Sequence, residues 1–205
     1  MEEKERSIDL QREVEKFKRY YTAIEREGAD KLLEWLEDNG FFEAPASTKF
    51  HGNYAGGLVE HSNHVFERLL DLKSMKSVAT GKDMETVAIV GLLHDVCKID
   101  AYKIETKNQK NKDGKQEEVQ QYTYTNALPL GHGEKSIMLI MQHMKLTEEE
   151  MLAIRWHMGG FDQSVKGGSY DMNNAFNQCR LAAMAHIADM IATHIDERDN
   201  EKDNY

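Results

Sequence analysis

The stretch Gly91-Leu92-Leu93-His94-Asp95-Val96-Cys97-Lys98 governs how the rest of the chain is interpreted. An apolar run over 87–93 leads directly into an adjacent histidine and aspartate, and a lysine follows three residues after the aspartate. Polar groups at the end of such a buried helix cost roughly 2–7 kcal/mol if they stay unpaired. A metal ion is a common partner, because imidazole and carboxylate groups are good ligands for transition metals. The pair therefore predicts a metal site if the chain supplies further ligands.

Length, charge and cysteine usage restrict the class of protein. The 205 residues are enough for one domain with a real core. The formal net charge of −10 argues against a broad nucleic-acid surface, which needs a basic face. A small nucleotide stays compatible with that charge, because bound divalent ions supply positive charge locally. Cys97 and Cys179 lie in apolar contexts, which predicts reduced core thiols in a reducing compartment.

Membrane attachment and secretion are not expected from the sequence. No stretch approaches the ~20 consecutive apolar residues of a membrane span. The segment at 1–6 is too charged for a secretory signal. We therefore expect a cytoplasmic protein that does not bind membranes.

Apolar spacings of three and four residues predict a helical domain. Thr147 and Glu150 have the spacing of a capping box, which marks the start of one of the helices. The predicted helices cover about 7–39 (divided near Gly28), 58–77, 84–98, 132–144, 147–157 and 174–196.

One segment departs from the helical pattern. Two alternating arms within 101–126 flank Asp113-Gly114, a strong signal for a β-hairpin. We therefore expect a two-stranded flap over about 101–125, inserted in an otherwise helical domain. The predicted organisation is N-terminal helices over 1–48 that pack on the core, a main domain over 49–196 with the insertion at 101–126, and a charged tail over 197–205.

Four further side chains are candidate ligands, and each also has an ordinary explanation. His61 begins a helix after two glycines, His132 lies between two glycines, and His157 ends a helix, where the macrodipole stabilises a charged imidazole. Asp189 lies in an otherwise apolar helix, so a solvated position explains it less well.

Taken in order, the residues His61, His94-Asp95, His132, His157 and Asp189 resemble the HD-domain superfamily of metal-dependent phosphohydrolases. Members of that superfamily carry His … His-Asp … Asp, with two more histidines where two metals are held. The closest matches are Gly56-Gly57-Leu58 with His61, and 93–98; they are similar to the HD part of a bacterial 3′→5′ exoribonuclease. The resemblance covers about 49–196 and implies an all-α HD-domain helical bundle, in which the hairpin is an insertion.

The resemblance also implies a ligand set and a reaction. His61, His94, Asp95 and Asp189 would hold one metal, and a bridging Asp95 would hold the second with His132 and His157. The implied cofactors are two divalent transition metal ions, and this ligand set is compatible with Fe, Mn, Ni or Zn. Two such ions about 3.5–4 Å apart hold a hydroxide that attacks phosphorus. The implied activity is that of a hydrolase acting on a phosphate ester or anhydride of a small substrate, of nucleotide type.

Three cations are candidates for phosphate contact. Lys98 follows Asp95 by three residues, and the resemblance places it near the site, as a catalytic residue together with Asp95. Lys135 lies one turn after His132, and Arg155 lies two residues before His157. Each of the three is also explained as an ordinary helix charge.

Three alternatives stay open at this level. A phosphodiesterase or nuclease acting on a short oligonucleotide would share the metal site; its basic contacts could come from the hairpin tip, at Lys107, Lys110, Lys112 and Lys115. The Gly-Tyr-Pro signature of the HD-GYP class is absent. A mixed-valent di-iron oxygenase would use the same six ligands. The third alternative is a metal-stabilised binding module. HD proteins often form dimers or larger assemblies, so a homo-oligomer is compatible with the resemblance.

Overall fold

The computed structural model describes residues 9–49, 51–75, 83–110, 114–125 and 128–198, which are mostly helical. The helices are α1 (Leu10–Tyr21), α2 (Ala29–Asp38), α3 (Gly57–Ser74), α4 (Met84–Leu93), α5 (His132–Met141), α6 (Glu148–Trp156), α7 (Gln163–Lys166), α8 (Asp171–Gln178) and α9 (Arg180–Ile191). Strands β1 (Tyr102–Lys110) and β2 (Gln116–Tyr124) form a two-stranded antiparallel sheet. No helix in these ranges is long and apolar enough to cross a bilayer.

Helices α3, α4, α6 and α9 surround the core, with α1 packed against α3 and α4. Polar contacts also join α1 to α3: the Tyr20 hydroxyl donates to Glu67 at 2.6 Å, and the Asn63 amide donates to the Glu13 carbonyl at 3.0 Å. The largest fully buried side chains are Phe17, Leu32, Leu36, Phe41, Leu58, Phe66, Leu69, Ile89, Leu92, Leu93, Ile140 and Met144.

A glycine sets the distance between α3 and α4. A Cβ atom on Gly91 would lie 2.6 Å from the Cα of Phe66, so the two helix backbones could not approach as closely with any other residue there. This close approach brings the end of α4, where His94 lies, beside His61 near the start of α3.

The prediction that one helix continues to Lys98 is wrong. Helix α4 ends at Leu93, and a 3₁₀ turn over Val96–Lys98 follows. At this point Nδ1 of His94 donates to the Gly91 carbonyl at 3.0 Å. In a continuing α-helix that carbonyl would accept from the backbone N–H of Asp95.

The prediction of one long helix over 174–196 is also wrong. Extended backbone at Cys179 (φ −129°, ψ 102°) separates α8 from α9, and α9 passes into a π turn over Ala192–Asp196. The segment 160–172, which lies between two predicted helices, contains α7. Asp83 is the N-cap of α4, and the predicted capping box at Thr147 and Glu150 is confirmed.

The predicted hairpin is confirmed, with a register that runs from Tyr102 opposite Tyr124 to Lys110 opposite Gln116. Its expected turn residue Asp113 lies outside the described residues. At the base of the hairpin the Tyr102 hydroxyl donates to the Ala46 carbonyl at 3.3 Å, and the backbone N–H of Thr125 donates to Ala101 at 2.7 Å. Beyond that base β1 is exposed, whereas β2 is half-buried at Val119 and over 121–123.

Candidate metal centre

Asp95 lies at the centre of a buried cluster that contains all six predicted metal ligands. Its carboxyl group is 1% exposed, and its two oxygens face different groups of side chains. We call the six residues the Asp95 cluster; they are His61, His94, Asp95, His132, His157 and Asp189.

Oδ2 of Asp95 faces the first half-site, which we define as this oxygen with His61, His94 and Asp189. Nε2 of His94 lies 3.4 Å and Nε2 of His61 lies 3.6 Å from this oxygen. The same His61 atom is 3.3 Å from Nε2 of His94 and 3.3 Å from Oδ1 of Asp189. Three helices therefore direct nitrogen and oxygen donors at one small volume.

Oδ1 of Asp95 faces the second half-site, which we define as this oxygen with His132 and His157. Nε2 of His132 lies 2.6 Å from the oxygen, and Nε2 of His157 lies 3.4 Å from it. His132 begins α5 and His157 follows the last residue of α6. A single carboxylate thus joins the two half-sites.

Backbone carbonyls orient two of the histidines. Nδ1 of His94 lies 3.0 Å from the Gly91 carbonyl, and Nδ1 of His157 lies 2.7 Å from the Ile154 carbonyl. A carbonyl can only accept, so Nδ1 carries a proton in both rings. In the neutral ring this leaves the lone pair on Nε2, the atom that points into the cluster.

Side chains orient the other two histidines. Nδ1 of His61 lies 3.0 Å from Oε1 of Glu197, and Nδ1 of His132 lies 3.4 Å from Sγ of Cys97. Sγ of Cys97 also lies 3.6 Å from Nε2 of His132, so this sulfur contacts both ring nitrogens. The other three histidines each have an oxygen acceptor beside Nδ1 and present Nε2 to the cluster. Such outer contacts fix the ring and raise its basicity as a ligand.

Lys98 is a buried cation beside the cluster, 7% exposed, with its Nζ 2.6 Å from Oδ2 of Asp95. Burial alone would raise the pKa of Asp95, but the charges of Lys98 and of the neighbouring histidines hold this pKa well below its usual range. Burial would lower the pKa of Lys98, and the Asp95 carboxylate raises it instead. Both groups are charged at neutral pH.

Two histidines of the Asp95 cluster hold protons tightly in the metal-free protein. Burial would lower the pKa of His61, but Glu197 and Asp189 raise it to about 10. Burial would likewise lower the pKa of His132, but Cys97 and Asp95 raise it to about 10. For His157, burial dominates and lowers the pKa, so its ring is neutral.

The donor set fits a metal ion. Nε2 of His157 is buried and makes no hydrogen bond to any residue that the structure describes, which is costly unless another partner fills that position. Imidazole nitrogens and carboxylate oxygens are suitable ligands for divalent transition metals. Subsets of the cluster bring three donor atoms within 4.8 Å of one another. These buried groups could therefore hold a metal ion.

The other predicted phosphate contacts have acidic partners outside the Asp95 cluster. Nζ of Lys135 lies 2.5 Å from Oδ1 of Asp100. The Arg155 guanidinium pairs with Glu134 at 2.6 Å and with Asp162 at 2.8 Å. Contact of either cation with a phosphate stays a prediction, and it would require these ion pairs to be exchanged.

Sequence reasoning missed three side chains beside the cluster. Glu197 was placed in a charged tail, but it is 6% exposed and bonds to His61 and His64. Cys97 and Cys179 are buried free thiols as predicted, but the contact of Cys97 with His132 was not foreseen. The His51 ring lies 4.8 Å from that of His61, and neither of its nitrogens bonds to a described residue.

Comparison of the chain with protein-family models, with curated proteins and with solved structures finds no match in any of the three. The geometry and chemistry of the Asp95 cluster are therefore the basis for the functional proposal.

Proposed function

We propose that the protein is a metal-dependent phosphohydrolase of the HD type, with one divalent transition metal ion in each half-site and a small substrate of nucleotide type. The observation that carries the proposal is that the two oxygens of the Asp95 carboxylate face two different pairs of histidines. One oxygen faces His61 and His94, and the other faces His132 and His157.

A carboxylate in this position is suited to bridging two ions. Each half-site adds two imidazole nitrogens to one Asp95 oxygen, and Asp189 adds a carboxylate to the first. When bound, a pair of divalent ions would lower the pKa of water and neutralise phosphoryl oxygens. The order of the six residues along the chain and their convergence in space support the same ligand set.

Lys98 would contact a bound phosphate, and the partly exposed residues of the cluster indicate the side from which a substrate would approach. The Lys98 ammonium lies beside Oδ2 of Asp95, where it can donate to a phosphoryl oxygen or a water near the first half-site. The side chains of His132 and Asp189 are 25% and 15% exposed, whereas those of His61, His94 and His157 are buried. Substrate would therefore approach across His132 and Asp189.

The size of the substrate follows from charge and access. A net charge of −10 disfavours a long polyanion, and within the Asp95 cluster only His132 and Asp189 are partly exposed. A phosphate on a small molecule reaches these two residues without a basic groove. These features favour a mononucleotide-type ester or anhydride.

The test is metal content measured together with phosphate release. We would measure metals per chain by mass spectrometry in the wild type and in Asp95→Asn, Asp189→Asn and His132→Asn, both as purified and after reconstitution. The same samples would be assayed on a panel of nucleotides and a short oligonucleotide. His194→Asn, which changes an exposed histidine of the π turn, is the matched control.

We expect about two ions per chain in the wild type and in the control. Asp189→Asn should weaken the first half-site, His132→Asn the second, and Asp95→Asn both, with phosphate release lost in Asp95→Asn. Circular dichroism would establish that each variant is folded. A folded wild type that takes up no metal would refute the proposal, and so would two bound irons without any phosphate release.

A further inference from the structure

The end of the last helix carries a second acidic residue that contacts the Asp95 cluster. Glu197 lies just after the π turn, and its carboxylate is 3.0 Å and 3.2 Å (Oε1 and Oε2) from Nδ1 of His61. Asp189, on α9, contacts the opposite nitrogen of the same ring, with its Oδ1 3.3 Å from Nε2. One imidazole is therefore held between two carboxylates of one continuous segment.

The π turn explains how both acids reach the same ring. Glu197 follows Asp189 by eight residues, and in an uninterrupted α-helix it would lie about 80° around the axis. The turn is closed by an i→i+5 bond from the Glu197 N–H to the Ala192 carbonyl at 3.0 Å, which accommodates one extra residue. Glu197 thereby occupies the face that the residue seven after Asp189 would otherwise take.

The residue that would have taken that face points elsewhere. Asp196 pairs instead with the Arg68 guanidinium, at 2.8 Å, seven residues further along α3 than His61. The π turn thus exchanges which of two adjacent acids faces the histidines. Glu197 also lies 3.0 Å from Nδ1 of His64, so it holds two rings that lie one turn apart on α3.

We propose that Glu197 is a positioning residue for the metal centre, which accepts a hydrogen bond from Nδ1–H of His61 and so keeps Nε2 directed at the first half-site. The inference rests on the proposed function, because it assigns His61 as a ligand. Glu197 is buried with the ring it holds, so the contact is not weakened by solvent. Carboxylate partners of ligating histidines contribute 10- to 100-fold to metal affinity in general.

The experiment compares the affinity for Mn²⁺ and the visible spectrum of the Co²⁺ form among the wild type, Glu197→Ala and Glu197→Gln. Glutamine keeps an oxygen that can accept from Nδ1, whereas alanine removes it. Asp196→Asn is the matched control, since it changes the neighbouring acid of the same π turn. Thermal melting of the metal-free proteins would report any general loss of structure.

We expect Glu197→Ala to weaken Mn²⁺ binding by about 10- to 100-fold and to shift the Co²⁺ spectrum. Glu197→Gln should lose less affinity, and Asp196→Asn should bind like the wild type. Unchanged Mn²⁺ affinity in Glu197→Ala would overturn this inference alone. Equal losses of Mn²⁺ affinity in the alanine and glutamine variants, with matching falls in melting temperature, would also overturn it. An ion that the wild type holds beyond the two half-sites, and that Glu197→Ala loses, would make Glu197 a ligand and also overturn it. A wild type that binds no metal would instead overturn the proposed function, and this inference with it.

Discussion

Nζ of Lys98 lies 2.6 Å from Oδ2 of Asp95, so a buried ammonium neutralises the carboxylate that joins the two half-sites. Removing one partner of a buried ion pair leaves an uncompensated charge. We expect Lys98→Met to destabilise the metal-free protein by about 3 kcal/mol. The loss should shrink in the presence of Mn²⁺, because a divalent ion would take over the neutralising role.

Urea unfolding with and without chelator would measure this difference. Lys145→Met is a control, since this exposed lysine carries the same charge. Equal destabilisation in the chelated and Mn²⁺-loaded samples would mean that no ion binds beside Asp95.

Metal binding should depend on pH, because the pKa values of His61 and His132 are both raised to about 10. At pH 7 both rings carry an extra proton, which a metal ion must displace before Nε2 can act as a ligand. Protons therefore compete with metal, and affinity should increase as the pH rises towards 10. One displaced proton corresponds to about a tenfold change in the dissociation constant per pH unit.

Isothermal titration at two pH values, each in two buffers of different ionisation enthalpy, counts the protons released. Since the two histidines lie in different half-sites, we expect about one proton for each ion bound. Tight binding with no proton release at either pH would contradict the charge states assigned to these rings.

The helix approach at Gly91 offers a test of the fold that does not alter any ligand. Gly91→Ala would place a Cβ atom 2.6 Å from the Cα of Phe66, and backbone cannot move aside as a flexible side chain can. Overpacking of this kind costs about 1–3 kcal/mol. By separating α3 from α4 it should also move His61 away from His94 and weaken metal binding.

The matched control is Gly160→Ala, where an added Cβ atom would meet nothing within 4 Å. Chemical unfolding and Mn²⁺ affinity would be measured for both variants. If Gly91→Ala matched Gly160→Ala in both measurements, the two helices would have to be further apart than described.

Local signals in the sequence were sufficient for most of the helices and for the hairpin. The Thr147 and Glu150 pair specifies its own capping box, and Gly114 in the αL region (φ 78°) fits the predicted turn between alternating strands. The six residues of the Asp95 cluster were predicted from their order along the chain and from a family resemblance. Such local and ordered patterns do not depend on long-range packing.

The features that were missed depend on tertiary contacts or on changes of helical register. Helical periodicity places Glu197 away from the face of Asp189, and no local sequence pattern over 192–196 predicts a π turn. The early end of α4 coincides with a hydrogen bond from the His94 ring to the Gly91 carbonyl. Polar partners of this type become visible only when the ring orientations are known.

The exposed part of the hairpin should be dispensable for folding. Ile104 is 60% exposed although it is apolar, and the hairpin is tied to the body at its base through Tyr102 and Thr125. We would replace 104–122 by an Asn-Gly turn, which favours a tight two-residue connection between the remaining strand ends. Since none of the described side chains in this segment is fully buried, the melting temperature should change by less than about 2 °C. Metal stoichiometry should also be unchanged, because all six residues of the Asp95 cluster lie outside the replaced segment.

A fall in melting temperature beyond about 5 °C, or a lost ion, would show that the hairpin supports the helical body. Unchanged stability with reduced phosphate release would instead indicate that the hairpin contacts the substrate.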